Sequence, residues 1–132
     1  MVKKFLKNWG PVLAYFGLIF FVSSRSIQVG AGVDKLLHVL EYAVMGFLTA
    51  RGAMLTWDLP RAWGVALGAG LAGLFGAIDE FHQYFVPGRD ASLYDGAADL
   101  VGAILGALLF VYLGVLLYQS HKLYPDARDK CC

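Results

Sequence analysis

Long apolar stretches separated by short polar segments dominate this chain. A helix needs about 20 mostly apolar residues to cross a bilayer core about 30 Å thick. Four stretches approach or exceed that length, and the second of them is amphipathic; they cover about 9–24, 34–53, 61–85 and 92–119. Turn-forming residues such as Pro60 and the pair Pro87-Gly88 separate them. The pattern predicts an all-α fold, a compact transmembrane bundle of four antiparallel helices.

Composition supports a membrane protein. Hydrophobic residues make up 58% of the 132 residues, charged residues only 16%, and the mean hydropathy is +0.59. A soluble domain of this size would have difficulty burying so much apolar surface. The length fits one domain over residues 1–132, and the net charge of +1 gives no basic field for nucleic acid.

The first apolar stretch has a secretory signal as its alternative, because lysines precede it and Val29-Gly30-Ala31 could act as a weak cleavage site. The run from Pro11 to Val22 is long for a signal core, and Trp9 and Ser23-Ser24 extend it. We therefore expect a retained transmembrane helix.

The distribution of Lys and Arg predicts how the bundle lies in the membrane, since cytoplasmic loops carry an excess of these residues. With four spans, one side holds Lys3, Lys4, Lys7, Arg51, Arg61, Lys122, Arg128 and Lys130. The opposite side holds only Arg25, Lys35 and Arg89. Both termini are expected to be cytoplasmic, and the side with few lysines and arginines is expected to face outward.

Polar residues concentrate between the third and fourth helices, on the predicted outer side. The stretch from Asp79 to Asp95 contains several carboxylates, a histidine, a glutamine and an arginine, and Asp99 follows one turn later. Ionisable groups are costly next to lipid unless they are paired, so their clustering there indicates a functional site.

A second polar group lies on one face of the second helix. Asp34, His38, Glu41 and Tyr42 follow the i, i+4, i+7, i+8 spacing that aligns side chains on a helix. Two structural alternatives remain: Asp34 could favour the helix N-terminus, and Glu41 could pair with Lys35. The complete set favours function, because so many polar groups on one face are expensive in lipid.

Stripes of small residues predict which faces point inward. The third helix carries one at four-residue intervals that leads to Glu80; it consists of Gly64, Gly68, Ala72 and Gly76. The fourth helix places Asp95 and Asp99 in line with Gly102 and Gly106. Small residues allow close helix packing in membranes, so these acidic groups should face the bundle interior.

Together these patterns define a candidate site with two kinds of residue. The candidate catalytic residues are Asp34, His38, Asp79 and Glu80, and the candidate ligand-binding residues are Tyr42, Gln83, Arg89, Ser92, Asp95 and Asp99. A divalent metal is a possible cofactor, with Asp34, His38, Asp79 and Glu80 as possible ligands, although their spacing does not select a metal. The adjacent Cys131 and Cys132 suit neither a structural disulfide nor a tetrahedral metal site.

Two motifs resemble the VanZ-like family of small bacterial integral membrane proteins. They are Asp34-Lys35-x-x-His38-x-x-x-Tyr42 and Asp79-Glu80-x-x-Gln83-x-Phe85-x-Pro87-Gly88-Arg89-x-x-Ser92-x-x-Asp95, with Gly102 and Gly106 beyond. The resemblance covers all but the two ends of the chain. This chain departs from the family pattern at Asp99, where we would expect asparagine.

The resemblance implies a location in the bacterial cytoplasmic membrane, spanned several times. It also implies a link to low-level resistance to the glycopeptide teicoplanin, through a role in the cell envelope. Membrane lipids or lipid-linked cell-wall precursors at the outer face would be the partners.

Three functions fit the residues. An enzyme acting on a lipid headgroup would bind it through Arg89 and use His38 with Asp79 or Glu80 as acid and base. A binding or shielding module would hold a headgroup or antibiotic without chemistry. A structural clasp would have Arg89 bridging Glu80 and Asp95. A proton or ion path is disfavoured, because no charge interrupts the fourth helix from Leu100 to Tyr118.

Overall fold

Four α-helices form the protein in a computed structural model that describes residues 2–25, 30–89 and 92–123, without the side chains of residues 31 and 118–123. They are α1 (Val2–Ser23), α2 (Ala31–Trp57), α3 (Arg61–Gln83) and α4 (Leu93–Leu123). The predicted all-α architecture of four helices is confirmed. Cys131 and Cys132 lie outside the described residues.

The helix ends differ from the predicted ones for identifiable reasons. α2 continues to Trp57, because the left-handed backbone that ends it occurs only at Asp58, with φ 50°. α3 ends at Gln83 rather than at residue 85. After it the chain tightens, with the N–H of Phe85 bonded to the carbonyl of His82 at 3.0 Å, and then turns at Gly88, where φ is 82°.

Contacts at the two ends of the bundle show the antiparallel order. Where α1 begins and α2 ends, the Asn8 amide and the Trp9 indole N–H both donate to the Thr56 hydroxyl, at 3.2 and 3.1 Å. At the opposite end, Ser23 at the close of α1 donates to Asp79 near the close of α3. α1 and α3 therefore run in the same direction, and α2, which contacts all three other helices, runs against them.

Glycines bring the helix backbones together as the stripes predict. A Cβ at Gly68 would lie 2.5 Å from the Ala50 Cα, so α3 packs on α2 at backbone distance. In the α2–α4 interface, Gly106 lies against the Ala43 carbonyl and Gly102 against that of Val39. Close packing of this kind is how helices associate without a hydrophobic driving force. It also brings the polar faces of α2, α3 and α4 within contact distance.

The bundle presents apolar side chains outward and keeps small and polar ones inside. Leu13, Leu74 and Leu109 are about half exposed, whereas Thr49, Asp79 and Asp99 are buried. α1, α3 and the Leu93–Leu117 part of α4 are long and apolar enough to cross a membrane. α2 has the length, 27 residues, but its charged side chains make it less apolar than these three. Those charges lie mainly near the end of α2 that carries the candidate site.

Candidate functional site

The polar side chains predicted from the sequence meet at one end of the bundle, where α1 and α3 end and α2 and α4 begin. We call this the polar end. Six of them are at most 5% exposed: His38, Tyr42, Asp79, Gln83, Asp95 and Asp99. Asp34, Glu80, Arg89 and Ser92 are partly buried beside them. The stripes of small residues thus turned the acidic groups inward as predicted.

His38 and Asp99 form a buried pair between α2 and α4. The imidazole Nδ1 lies 2.8 Å from Asp99 Oδ1, and both side chains are less than 10% exposed. Such a bond fixes the orientation of the ring. The second carboxylate oxygen, Oδ2, has no hydrogen-bond partner among the described residues. It packs against α3 at Gly76, where a Cβ would lie only 3.0 Å away.

Asp79 has partners for both of its oxygens. Oδ1 accepts a hydrogen bond from the Ser23 hydroxyl at 2.6 Å, and Oδ2 accepts one from the Gln83 amide at 2.7 Å. These bonds join α1 to α3 and satisfy a carboxylate that is 2% exposed. Asp79, predicted as a catalytic residue, is therefore placed as the centre of a buried hydrogen-bond network.

The cations pair differently from the predicted clasp, in which Arg89 bridges Glu80 and Asp95. Lys35 contacts Asp95 closely and lies 3.8 Å from Asp34. Arg89 instead approaches Asp34, at 3.9 Å. The clasp geometry was wrong: after the turn at Gly88, Arg89 lies near Asp34 of α2 and forms no ion pair with Glu80 or Asp95 among the described residues.

Glu80 and Ser92 contact each other where α3 gives way to α4. Glu80 Oε2 accepts the backbone N–H of Ser92 at 2.9 Å, and the Ser92 hydroxyl accepts the N–H of Tyr94 at 3.2 Å. The second bond is typical of an N-cap. Ser92, predicted to bind a ligand, thus helps to start α4, while Glu80 Oε1 remains without a hydrogen-bond partner among the described residues.

A cavity of about 90 Å³ opens between these groups. Its lining comes from α1, α2, α3 and the turn after α3: Val22, Ser23, Asp34, Leu37, His38, Glu41, Gln83 and Arg89. The Arg89 side chain is 17% exposed, and its Nε is buried without a hydrogen-bond partner among the described residues. The cavity therefore combines a cation with unused donor capacity, an imidazole and two carboxylates.

An apolar groove of about 470 Å³ lies between α3 and α4, at the same end of the bundle. Ala77, Phe81, Tyr84, Leu93 and Gly96 line it, and Glu80 and Ser92 form its polar edge. Because Phe81 and Leu93 are largely exposed, the groove opens sideways onto the apolar surface of the bundle.

Two groups of side chains are close enough to share a metal ion. They are Asp34, His38 and Asp95, and His38, Glu80 and Asp99; within each group the possible ligand atoms lie within 4.8 Å of one another. The ligand set predicted from the sequence differs from these groups: Asp34 and Glu80 fall in separate groups with His38, and Asp79 belongs to neither. Ser23 and Gln83 already occupy its oxygens.

The candidate catalytic and ligand-binding residues left out three polar residues that the structure places in the site: Glu41, which lines the cavity, Ser23 and Lys35. Ser23 is 4% exposed and bonds to Asp79, and Lys35 pairs with Asp95. Both had a signal: Ser23 belongs to the Ser23-Ser24 pair that closes the first apolar stretch, and Lys35 lies inside the motif from Asp34 to Tyr42.

A protein-family model matches most of the chain. The model described as VanZ/LLP1 matches residues 2–118, which include α1, α2, α3, most of α4 and every residue of the site described above. No curated protein and no solved structure matches the chain significantly.

Proposed function

This chain belongs to the VanZ/LLP1 family, and on that premise we propose that its polar end binds the anionic headgroup of a membrane lipid or of a lipid-linked cell-wall precursor. Membership and the three apolar helices establish a membrane protein. The headgroup would enter the cavity, and its phosphate would contact Arg89. The observation that carries this proposal is the buried Arg89 Nε without a hydrogen-bond partner in the described part of the chain.

Arg89 has donors to offer because its pairing is loose. A distance of 3.9 Å to Asp34 is too long for a hydrogen bond, so the guanidinium is attracted to this carboxylate without being bonded to it. Guanidinium groups bind phosphate through two parallel N–H···O bonds, and a buried donor left unused costs free energy. A phosphate in the cavity would satisfy both conditions.

The groove between α3 and α4 supports a lipid as the source of that headgroup. It is apolar, opens onto the lipid-facing surface and shares its polar edge, Glu80 and Ser92, with the site. An acyl or polyprenyl chain could lie in the groove while its headgroup reaches the cavity. A free, water-soluble phosphate compound would have no use for this surface.

We further propose that the polar end faces outward from the bacterial cytoplasmic membrane. The cationic residues described at the opposite end, including Lys4, Arg51 and Arg61, support this by the positive-inside rule. A site on the outer face would have access to precursors of the cell envelope. A protein with a role in glycopeptide resistance would act on that face.

Replacing Arg89 with alanine should weaken headgroup binding by roughly 10- to 100-fold, since a charge-assisted bidentate contact contributes about 1.5–3 kcal/mol. The affinity of Arg89→Lys should lie between those of wild type and Arg89→Ala. Lysine keeps the positive charge but cannot form the two parallel hydrogen bonds of a guanidinium group. Native mass spectrometry of the protein in detergent, titrated with phosphatidylglycerol or a polyprenyl phosphate, measures the effect.

Arg61→Ala is the matched control, because it removes an exposed arginine at the other end of the bundle. Wild-type binding in Arg89→Ala would contradict the proposal. If the same variant unfolds at a much lower temperature and keeps its affinity, the network serves as a structural clasp instead.

A hydrolytic activity is the second candidate, and the His38–Asp99 bond of 2.8 Å beside the cavity favours it. An imidazole held by a carboxylate is a common general base. His38 would take a proton from water as that water attacks phosphorus, and would return it to the alcohol oxygen as its bond to phosphorus breaks.

This second candidate predicts a product that binding alone does not. Incubation of wild-type protein with phosphatidylglycerol should yield a free alcohol and a phosphate monoester, detected by mass spectrometry of the extracted lipids. His38→Ala should reduce the yield by about 100-fold or more, and Arg61→Ala should leave it unchanged. If the lipid is unaltered after incubation with wild-type protein, hydrolysis is rejected and headgroup binding stands as the function.

A further inference from the structure

We propose that a divalent transition-metal ion, Zn²⁺ or Mn²⁺, binds between α2, α3 and α4 at His38, Glu80 and Asp99, which we call the His38 cluster. The possible ligand atoms of these three side chains lie within 4.8 Å of one another. Ion binding goes beyond the proposed headgroup site and does not depend on it, and it is an alternative to the use of His38 as a general base.

The charges around the cluster are unbalanced. Asp34 and Asp95, nearer the helix ends, have Lys35 and Arg89 beside them. Glu80 and Asp99 form no ion pair with a lysine or arginine among the described residues, and Asp99 pairs with His38. Two carboxylates in a low-dielectric interior repel each other unless a cation lies between them.

Unused ligand atoms provide an independent indication. Asp99 is 1% exposed, and its Oδ2 has no hydrogen-bond partner in the described part of the chain. The same holds for Glu80 Oε1 and for the hydroxyl of Tyr42, which is fully buried. A buried polar atom without a partner costs about 1–3 kcal/mol. Two of these atoms, Asp99 Oδ2 and Glu80 Oε1, belong to carboxylates of the cluster and can accept a positive ligand.

The packing of the helices makes the cluster a preformed site. Gly76 allows Asp99 and Tyr42 to lie against α3, where a Cβ would meet Asp99 Oδ2 at 3.0 Å and the Tyr42 ring at 3.3 Å. Gly102 sets α4 directly against α2, one turn from Asp99. The three ligands therefore come from helices whose backbones are fixed relative to one another.

The donor set selects the class of metal. One imidazole nitrogen and two carboxylates suit Zn²⁺ or Mn²⁺, whereas Mg²⁺ and Ca²⁺ prefer oxygen ligands alone. An ion shared by His38 and Asp99 would take the place of the proton in the hydrogen bond that now joins them. An ion here would also offset the repulsion that the carboxylates would exert on an anionic headgroup.

Isothermal titration of the full chain in detergent, after EDTA treatment and removal of the chelator, tests the inference. One Zn²⁺ or Mn²⁺ per chain is expected, with much weaker binding of Mg²⁺ and Ca²⁺. Asp99→Asn and Glu80→Gln should each lower the affinity more than about 10-fold, because even partners of metal ligands typically contribute 10- to 100-fold.

All samples should carry Cys131→Ser and Cys132→Ser and no histidine tag, so that terminal thiols and the tag add no binding. Asp58→Asn is the control, since this carboxylate is 89% exposed at the opposite end of the bundle. Asp79→Asn is a closer control, because it removes a buried charge outside the cluster. It should lower the metal affinity far less than Asp99→Asn does.

The inference is overturned if wild-type protein binds no Zn²⁺ or Mn²⁺, or if Asp99→Asn and Glu80→Gln bind as tightly as Asp58→Asn. Arg89→Ala should keep its metal affinity within about 3-fold, because it alters a charge outside the cluster. If wild-type protein binds the metal but no lipid, the proposed headgroup site fails and the ion site stands. If it binds lipid but no metal, the ion site fails and the headgroup site stands.

Discussion

Gly106→Leu is expected to prevent α4 from packing on α2 and to leave little folded protein. Gly106 lies so close to the Ala43 carbonyl that a Cβ would overlap backbone atoms, which cannot move aside as a side chain can. Overpacking a core usually costs about 1–3 kcal/mol, and a backbone clash should exceed that range. We therefore expect the unfolding temperature to fall by roughly 10 °C or more.

Thermal unfolding in detergent, followed by circular dichroism and by size-exclusion chromatography, measures this loss. Gly114→Leu is a control two turns further along the same helix, where a Cβ would meet nothing within 4 Å. It should be neutral or stabilising by up to about 1 kcal/mol, because leucine is the better helix former. Equal melting of the two variants would show that the α2–α4 contact does not hold the bundle together.

The fold was accessible from sequence because its determinants are local. Apolar runs and turn residues such as Pro60 and Gly88 locate four helices, and small residues at four-residue intervals identify the packed faces. The ends were less accessible: a left-handed Asp58 and the tightened turn after Gln83 are local choices among several possible ones.

The membership of the site could also be predicted, since i and i+4 spacing places His38 and Asp34 on one face. Its pairing could not. Ser23 with Asp79 and His38 with Asp99 are separated by more than fifty residues in the chain. The partner of each carboxylate depends on how the helices are rotated and on the direction of the turn before Arg89. Neither property can be recognised from the sequence.

The division among the carboxylates follows from that pairing. Asp79 has both oxygens bonded, Asp95 has Lys35, and Asp99 keeps one buried oxygen without a hydrogen-bond partner in the described residues. In sequence, Asp95 and Asp99 lie on one stripe of small residues, and Asp79 lies beside another. Only the structure shows that Asp99, where the family resemblance would lead us to expect asparagine, pairs with His38 through one oxygen and leaves the other without a partner in the described residues.

Asp99→Asn should therefore be more stable than wild type without metal and less stable than wild type with Zn²⁺ bound. In EDTA the variant should be more stable than wild type by about 1–3 kcal/mol, because it removes a buried, incompletely bonded charge and can still accept the His38 hydrogen bond. With Zn²⁺ at a hundred times its dissociation constant, wild type should gain about 2.7 kcal/mol, and the variant should gain little.

Melting curves of both proteins, with EDTA and with Zn²⁺, measure this exchange, and Asp58→Asn should follow wild type in both conditions. A variant that is less stable in EDTA and equally stabilised by Zn²⁺ would mean that Asp99 is held by contacts inside the bundle and needs no ion. The predicted reversal of stability between EDTA and Zn²⁺ agrees with a general trend. A residue that serves ligand binding is often retained although it lowers the stability of the unliganded protein. Asp99 would then contribute to ion binding at the expense of the metal-free bundle.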